Sequence, residues 1–260
     1  MNYFVSIADS YYHEWQIKIL LDSFKKLKLE DKLHIAVASN NKKYKEGNFY
    51  YLKNLGFEKE YLKYNKWYSL YALLKNENLK LPIVVLEPHM VLVKEIEEDF
   101  VSNIVYQYSN EFVYSENYII KELNGYNKDH IKNYWFNLGD LIIFNNLDND
   151  FFLNILQKIE NYSLYLENYL NLDKISISNC IWDFASKNNS LSVDSRQDLE
   201  CYLNQNKLNY FLNYRHGFKD IFNKNFYKNK DVCMSDKNLK DNIGSIRYTK
   251  CLDFFYNNIN

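Results

Sequence analysis

Proline is nearly missing from this 260-residue chain, which has two, and glycine is scarce at six. No stretch reads as a flexible linker or a low-complexity segment, and no internal repeat or charge block marks a domain boundary. The four cysteines, Cys180, Cys201, Cys233 and Cys251, show no C-x-x-C spacing. That excludes the usual structural zinc motifs, and a chain of this size has no need of disulfide staples, which suits a reducing compartment. A dominant charge is also lacking: 32 basic residues face 33 acidic ones, for a formal net of -1. No whole-chain field draws in a polyanion, so any such partner must be held by a local patch. Long hydrophobic runs are absent too, since nothing approaches the roughly 18 apolar residues of a membrane span. Met1 to Ala8 has no basic lead-in of the kind a secretory signal carries. The expectation is a soluble, cytoplasmic protein.

What the chain does have is aromatic residues, 25 Tyr and 17 Phe, alongside abundant Asn and Lys. An A/T-rich genome would produce the same bias, so only aromatics beside a proposed site are given roles. At 47% hydrophobic the chain can bury a full core. The length suits one domain with elaborations.

Tyr3 to Ala8 reads as a strand, and Ile17, Leu20, Leu21, Phe24 and Leu27 then recur at helical spacing with lysines between them. Leu33 to Ala38 predicts a second strand. Tyr44 to Leu55, stopping before Gly56, predicts a second helix. Trp67, Leu70, Tyr71 and Leu74 form the apolar face of a third helix, which leads into a strand at Ile83 to Leu86. This alternation predicts an α/β sheet with parallel neighbours and helices on its faces. Further on, Val101 to Tyr108 and Glu111 to Tyr114 read as strands, Ile119 to His130 as a loop, and Leu141 to Phe144 as a strand. Asp150 to Leu170 and Lys174 to Lys187 read as helices.

In open sheets of this kind ligands sit beyond the carboxyl ends of the strands. The residues so placed are Asp9 and Ser10 after the first strand, and Glu87 and His89 after the strand at Ile83 to Leu86. Asp9 opens a polar, aromatic cluster and could meet a ribose or a base edge; the alternative is a helix cap, a compatible role. If Glu87-Pro88-His89 is extended, its two outer side chains point the same way with Cα atoms roughly 7 Å apart and can converge on one cation. Carboxylate oxygen suits Mg²⁺ or Mn²⁺ and imidazole nitrogen tilts the choice towards Mn²⁺. The alternative is a solvated turn formed by Pro88.

Between 207 and 230 six basic residues, Lys207, Arg215, Lys219, Lys224, Lys228 and Lys230, stand against Asp220 alone, a local charge of +5. Seven aromatics are interleaved, among them Tyr210, Phe211 and Tyr214. Arg215 or Lys219 is the candidate phosphate contact, and His216 beside them is a candidate metal ligand; the alternative for His216 is a solvated surface histidine. Asp183, within a helical apolar pattern, could be a carboxylate facing a cleft; an exposed helical aspartate is the alternative. Read alone, the basic and aromatic stretch also suits a nucleic-acid-binding module that stacks on unpaired bases.

Four segments in order resemble the GT-A glycosyltransferases, and more narrowly the hydroxyproline O-arabinosyltransferase-like family. Asp9-Ser-Tyr-Tyr-His-Glu-Trp-Gln16 is similar to that family's loop ending in Tyr-x-x-Trp-Gln, with Tyr12 as the tyrosine. Asn65-Lys66-Trp67 resembles its Asn-Arg-Pro-Trp-like helix start, Glu87-Pro88-His89 its Glu-Pro-Asp strand end, and Tyr214-Arg-His-Gly217 its late histidine beside aromatics. The match covers most of residues 1–220 and is strongest over 1–95.

The resemblance implies a single GT-A, Rossmann-like domain over 1–220, with a mixed, mainly parallel sheet flanked by helices. Residues 1–95 would bind a nucleotide sugar and 96–220 the acceptor, with 221–260 as an extension packed on the same domain. It further implies transfer of a hexose or pentose from a nucleoside diphosphate donor, usually UDP, to a hydroxyl. Mn²⁺ or Mg²⁺ would be held by Glu87, His89 and His216, and the donor by Asp9, Tyr12 and Lys66, with Arg215 or Lys219, read from the basic stretch itself, on the diphosphate. Asn137 and Asp140, in Trp135-Phe-Asn-Leu-Gly-Asp140, fall on the acceptor side, and Asp183 is the candidate catalytic carboxylate. His89 stands where the family has a second carboxylate, which keeps a degenerate, non-catalytic domain open as an alternative. The enzymatic and nucleic-acid readings can merge in a glycosyltransferase acting on modified DNA bases, for which a viral or phage setting inside a host cytoplasm would be apt.

Overall fold

The computed structural model describes residues 1–9, 11–39, 44–53, 61–77, 79–108, 138–163, 172–188, 191–202 and 210–213. By packing, the chain divides into two compact units that take turns along the sequence. One comprises Tyr3–Lys53, Leu86–Glu98 and Asp198–Asn260; the other comprises Met1–Asn2, Asn54–Val85 and Asp99–Gln197.

The first unit begins with β1 (Asn2–Ala8, all but its first residue), helix α1 (Tyr11–Lys26), a 3-10 turn (Glu30–Lys32) and β2 (Leu33–Ser39). β1 and β2 pair in parallel from Tyr3 against Leu33 to Ala8 against Ala38. Their carboxyl ends, and the residues that follow, therefore emerge side by side. Both strands are buried almost throughout, as their continuous apolar runs predict for parallel strands covered on both faces.

The helix predicted from Tyr44 to Leu55 does not form over its described part. That stretch is a hairpin of β3 (Tyr44–Glu46) and β4 (Phe49–Lys53), with Glu46 opposite Phe49, and β4 adds in parallel to β2. Gly47 and Asn48 make the two-residue loop, and Gly47 takes a positive φ of 57°, the backbone a tight hairpin needs at its first loop position. Phe49, Tyr50 and Tyr51 favour a pleated strand more than a helix, and β2 offers them an edge to pair with. The helical reading counted apolar spacing and missed the Gly-Asn turn signal.

β6 (Met90–Leu92) belongs to a separate three-stranded sheet of the same unit, antiparallel to β11 (Phe211–Asn213), which runs parallel to β10 (Glu200–Tyr202). Helix α1 is tied to it: Ser23 Oγ donates to the Leu20 carbonyl at 2.6 Å and accepts from the Leu92 amide at 3.1 Å. The core closes around Tyr3, whose ring meets Phe24 edge-on at 4.9 Å and Phe211 at 6.1 Å. Burial pushes the Tyr3 phenol up to about 12, so it stays neutral and its oxygen accepts from the Ile96 amide.

The second unit holds α2 (Tyr61–Asn76), β5 (Ile83–Leu86, all but its last residue), β7 (Ile104–Tyr108), β8 (Leu138–Phe144), α3 (Asn149–Ser163), α4 (Leu172–Asn188) and β9 (Val193–Arg196). Its strands run β5-β8-β7-β9, with β8 antiparallel to both neighbours and β9 parallel to β7. An aromatic cluster joins sheet and helices: Phe144 meets Trp67 at 6.0 Å and Phe152 at 5.2 Å, both nearly perpendicular, and Phe151 meets Phe184 at 5.1 Å. Edge-to-face pairs of this kind add to the area they bury. The segments at 111–114 and 119–130, the end of the helix read from Asp150 to Leu170, and the proposed extension 221–260 lie outside the described residues.

Candidate functional site

The chemistry-bearing side chains of the first unit gather after β1 and before β6. Asp9 follows β1 and is exposed, and its amide donates to the Ala38 carbonyl at 3.1 Å. Ser39, the last residue of β2 and 4% exposed, donates its hydroxyl to Asp9 Oδ2 at 2.8 Å. The carboxylate is thus fixed by a neighbouring strand end, a consequence of parallel pairing that brings the two carboxyl ends together.

Glu87-Pro88-His89 is a turn rather than an extended strand end. The Met90 amide donates to the Glu87 carbonyl at 3.2 Å, closing a four-residue turn with Pro88 at the position whose fixed φ favours it. The extended spacing assumed for Glu87 and His89 therefore does not apply. Pro88 is the reason: it cannot donate to a ladder and predisposes the chain to bend.

Between these two segments stands His13, which the sequence reading passed over. It lies on the buried face of α1, in the same row as Gln16, Ile17 and Leu20, and is 6% exposed. Burial pulls its imidazole from the ordinary value near 6.5 down to about 4. The Glu87 carboxylate pulls it upward, His89 pushes it further down, and a hydrogen bond donated to the Ala8 carbonyl favours the protonated form. At neutral pH His13 is an uncharged imidazole, held by the end of β1 and sensing both Glu87 and His89. A signal was there: a histidine at helical spacing with core residues, four positions after Asp9.

A carboxylate and an imidazole on one turn suit Mn²⁺ in donor chemistry. Among the described residues, however, no three of His, Cys, Asp and Glu come together in a geometry that would hold a metal ion. Glu87 and His89 are the described part of the proposed ligand set. His216, with Arg215 and Lys219, lies outside the described residues, and the Tyr12 side chain is not described.

Of the basic and aromatic 207–230 stretch, residues 210–213 are described. Tyr210 and Phe211 are buried, Phe211 in the core against Tyr3 and Tyr210 donating its hydroxyl to Glu98 beneath the Lys94 ammonium. These two aromatics are structural and offer no face for stacking bases.

The remaining candidates belong to the second unit. Asn65, Lys66 and Trp67 lie a turn inside α2 rather than at its start; all three are buried, with Lys66 Nζ 5.4 Å from the Trp67 ring centroid. Asn137 lies outside the described residues, while Gly139 is inside β8. A Cβ on Gly139 would stand 2.6 Å from the Gln107 carbonyl oxygen, so this position needs glycine for close strand approach. Asp140 pairs with Lys174 of α4 at 3.0 Å, with both side chains nearly buried. Asp183 pairs with Lys158 of α3 at 2.7 Å and is 40% exposed. Nearby, burial pushes the Cys180 thiol up to about 12, which favours its protonated form.

Among the described residues no helix is long and apolar enough to cross a membrane. No family model and no curated protein matches the chain. Among solved structures, an active-site mutant of LgtC is similar with a TM-score of 0.50 at 12% identity, over 89% of this chain and 95% of that one. Galactosyltransferase LgtC in complex with donor and acceptor sugar analogs gives 0.48 at 10% identity, over 83% and 87%. A glycosyltransferase involved in the glycosylation of the major capsid of PBCV-1 gives 0.44 at 7%, over 82% and 93%. The likeness to the LgtC mutant, together with the mixed sheet and its flanking helices, identifies the architecture as the GT-A, Rossmann-like fold of glycosyltransferases.

Proposed function

We propose that this protein is a glycosyltransferase that moves a sugar from a nucleoside diphosphate donor, with uridine the expected nucleoside, to an acceptor hydroxyl. The observation that carries the reading is the carboxylate of Asp9, solvent-facing yet fixed by Ser39 at the shared carboxyl end of two parallel strands, where open α/β sheets bind ligands. The GT-A fold and the ordered motifs support it. The narrower resemblance to the arabinosyltransferase-like family rests on those motifs alone.

In this reading Asp9 accepts a hydrogen bond from the nucleoside, Tyr12 contacts the donor, and Arg215 and Lys219 meet the diphosphate; Lys66, buried beside the Trp67 ring, reaches the donor only if its side chain turns outward. Glu87 and His89, with His216, would hold a divalent cation, Mn²⁺ or Mg²⁺, whose chemistry is to neutralise the departing diphosphate. The protein's own contribution is positioning and electrostatic stabilisation of that leaving group. Asn137 and Asp140 remain acceptor-side candidates, and Asp183 the candidate for activating the acceptor or steadying positive charge on the sugar. The ion pairs to Lys174 and Lys158 compete for the same carboxylate oxygens, so either role requires the pair to loosen.

Calorimetric titration with UDP, with and without Mn²⁺, tests the binding reading, and hydrolysis of UDP-sugars by the purified protein tests the chemistry. Binding in the micromolar range, strengthened by Mn²⁺, is the expected result. Absence of nucleoside diphosphate binding under both conditions would overturn the proposal.

A further inference from the structure

We infer that Ser39 is a positioning residue for nucleotide binding, acting through the Asp9 carboxylate; this rests on the reading of Asp9 as the nucleoside contact. An exposed aspartate ordinarily samples several rotamers, and ordering it on a ligand costs free energy that subtracts from affinity. Here the cost is met in advance. Ser39 is itself buried at the end of β2, and its hydroxyl donates to Asp9 Oδ2 at 2.8 Å. The main chain beneath is held as well, by the hydrogen bond from the Asp9 amide to the Ala38 carbonyl at 3.1 Å and by the in-register pairing of Ala8 with Ala38.

The hydroxyl does two things chemically. It satisfies Oδ2, and it leaves Oδ1 to accept an N–H or O–H from a nucleoside. A serine suits the task because its side chain is short enough to remain within the strand pair while reaching the first residue past the neighbouring strand. Alanine at 39 would remove the donor with almost no change in packing, freeing the Asp9 rotamer without disturbing the sheet.

A double-mutant cycle read by calorimetry with UDP tests this. Ser39→Ala should weaken UDP binding about tenfold, the order expected for a lost hydrogen bond to a charged group. Asp9→Ala should weaken it at least as much, and the double variant should bind no worse than Asp9→Ala alone, because Ser39 then has nothing to position. Ser39→Thr, which keeps the hydroxyl, should bind like the wild type.

Wild-type-like binding by Ser39→Ala overturns the inference and leaves the functional reading standing. So does a Ser39→Ala loss that persists in full on the Asp9→Ala background, since that marks a structural effect independent of the carboxylate. A wild-type protein that binds no UDP defeats the functional reading itself, a result distinguishable because it needs no variant.

Discussion

At the residue scale, His13 shows how burial and position give a side chain properties its type does not announce. A histidine in solution titrates near pH 6.5, whereas burial on α1 lowers this one to about 4. The linkage to stability has a definite sign. Because the folded-state value is depressed, the unfolded chain takes up the proton first as pH falls, so the penalty on the native state is absent above about 6.5, builds as pH falls to about 4 and stays at its full value below that. The full shift corresponds to roughly 3 kcal/mol. Urea denaturation in metal-free buffer at pH 7 and pH 4.5 should show the wild type losing about 2 kcal/mol more than His13→Gln does. Equal losses in the two proteins would mean that His13 is not held neutral. The positions of Asp9, Glu87 and His89, just past strongly apolar strands, could be read from the sequence. His13 carried only its spacing with the core residues of α1, which does not say which groups it will face until strand and helix are packed.

At the scale of elements, legibility follows the kind of signal each segment carries. β1, β2 and β5 are continuous apolar runs and α1 has its apolar face at helical spacing, so their existence could be read directly. The hairpin of β3 and β4 could not be read from periodicity, because its outcome depends on a two-residue turn and on pairing with β2, a long-range partner. The turn at Glu87-Pro88-His89 failed for a related reason: one proline outweighed the extended tendency of the residues around it.

Gly139 carries the same lesson inside a strand, where β8 pairs with β7 and the ladder shifts register between Tyr106 and Tyr108. A Cβ there meets main chain, the Gln107 carbonyl, which cannot swing aside as a side chain would. Gly139→Ala should therefore destabilise the protein by about 1–3 kcal/mol, the usual cost of overpacking. Chemical denaturation measures it, and a stability within error of the wild type would show that the strands can part at no cost.

At the scale of the whole molecule, the chain order and the packing order differ. Each compact unit is assembled from segments that lie far apart in the sequence, on both sides of residue 95. β6 lies at Met90–Leu92 but pairs with β11 at Phe211–Asn213, and Phe211 packs on Tyr3 near the amino terminus. Trp67, completely enclosed, leans on Phe144 of a strand more than 70 residues later. Residues 1–98 alone would expose Tyr3, Leu92 and Trp67, and losing the partner of even one large aromatic costs several kcal/mol, comparable to the whole stability of a small domain. A fragment of residues 1–98 should therefore show neither a cooperative thermal transition nor the near-ultraviolet dichroism of fixed aromatic rings. If it melted cooperatively with such a signal, the Tyr3 and Trp67 cores would have to be self-sufficient, and the long-range pairings of β6 and Phe144 would be additions to an already stable half.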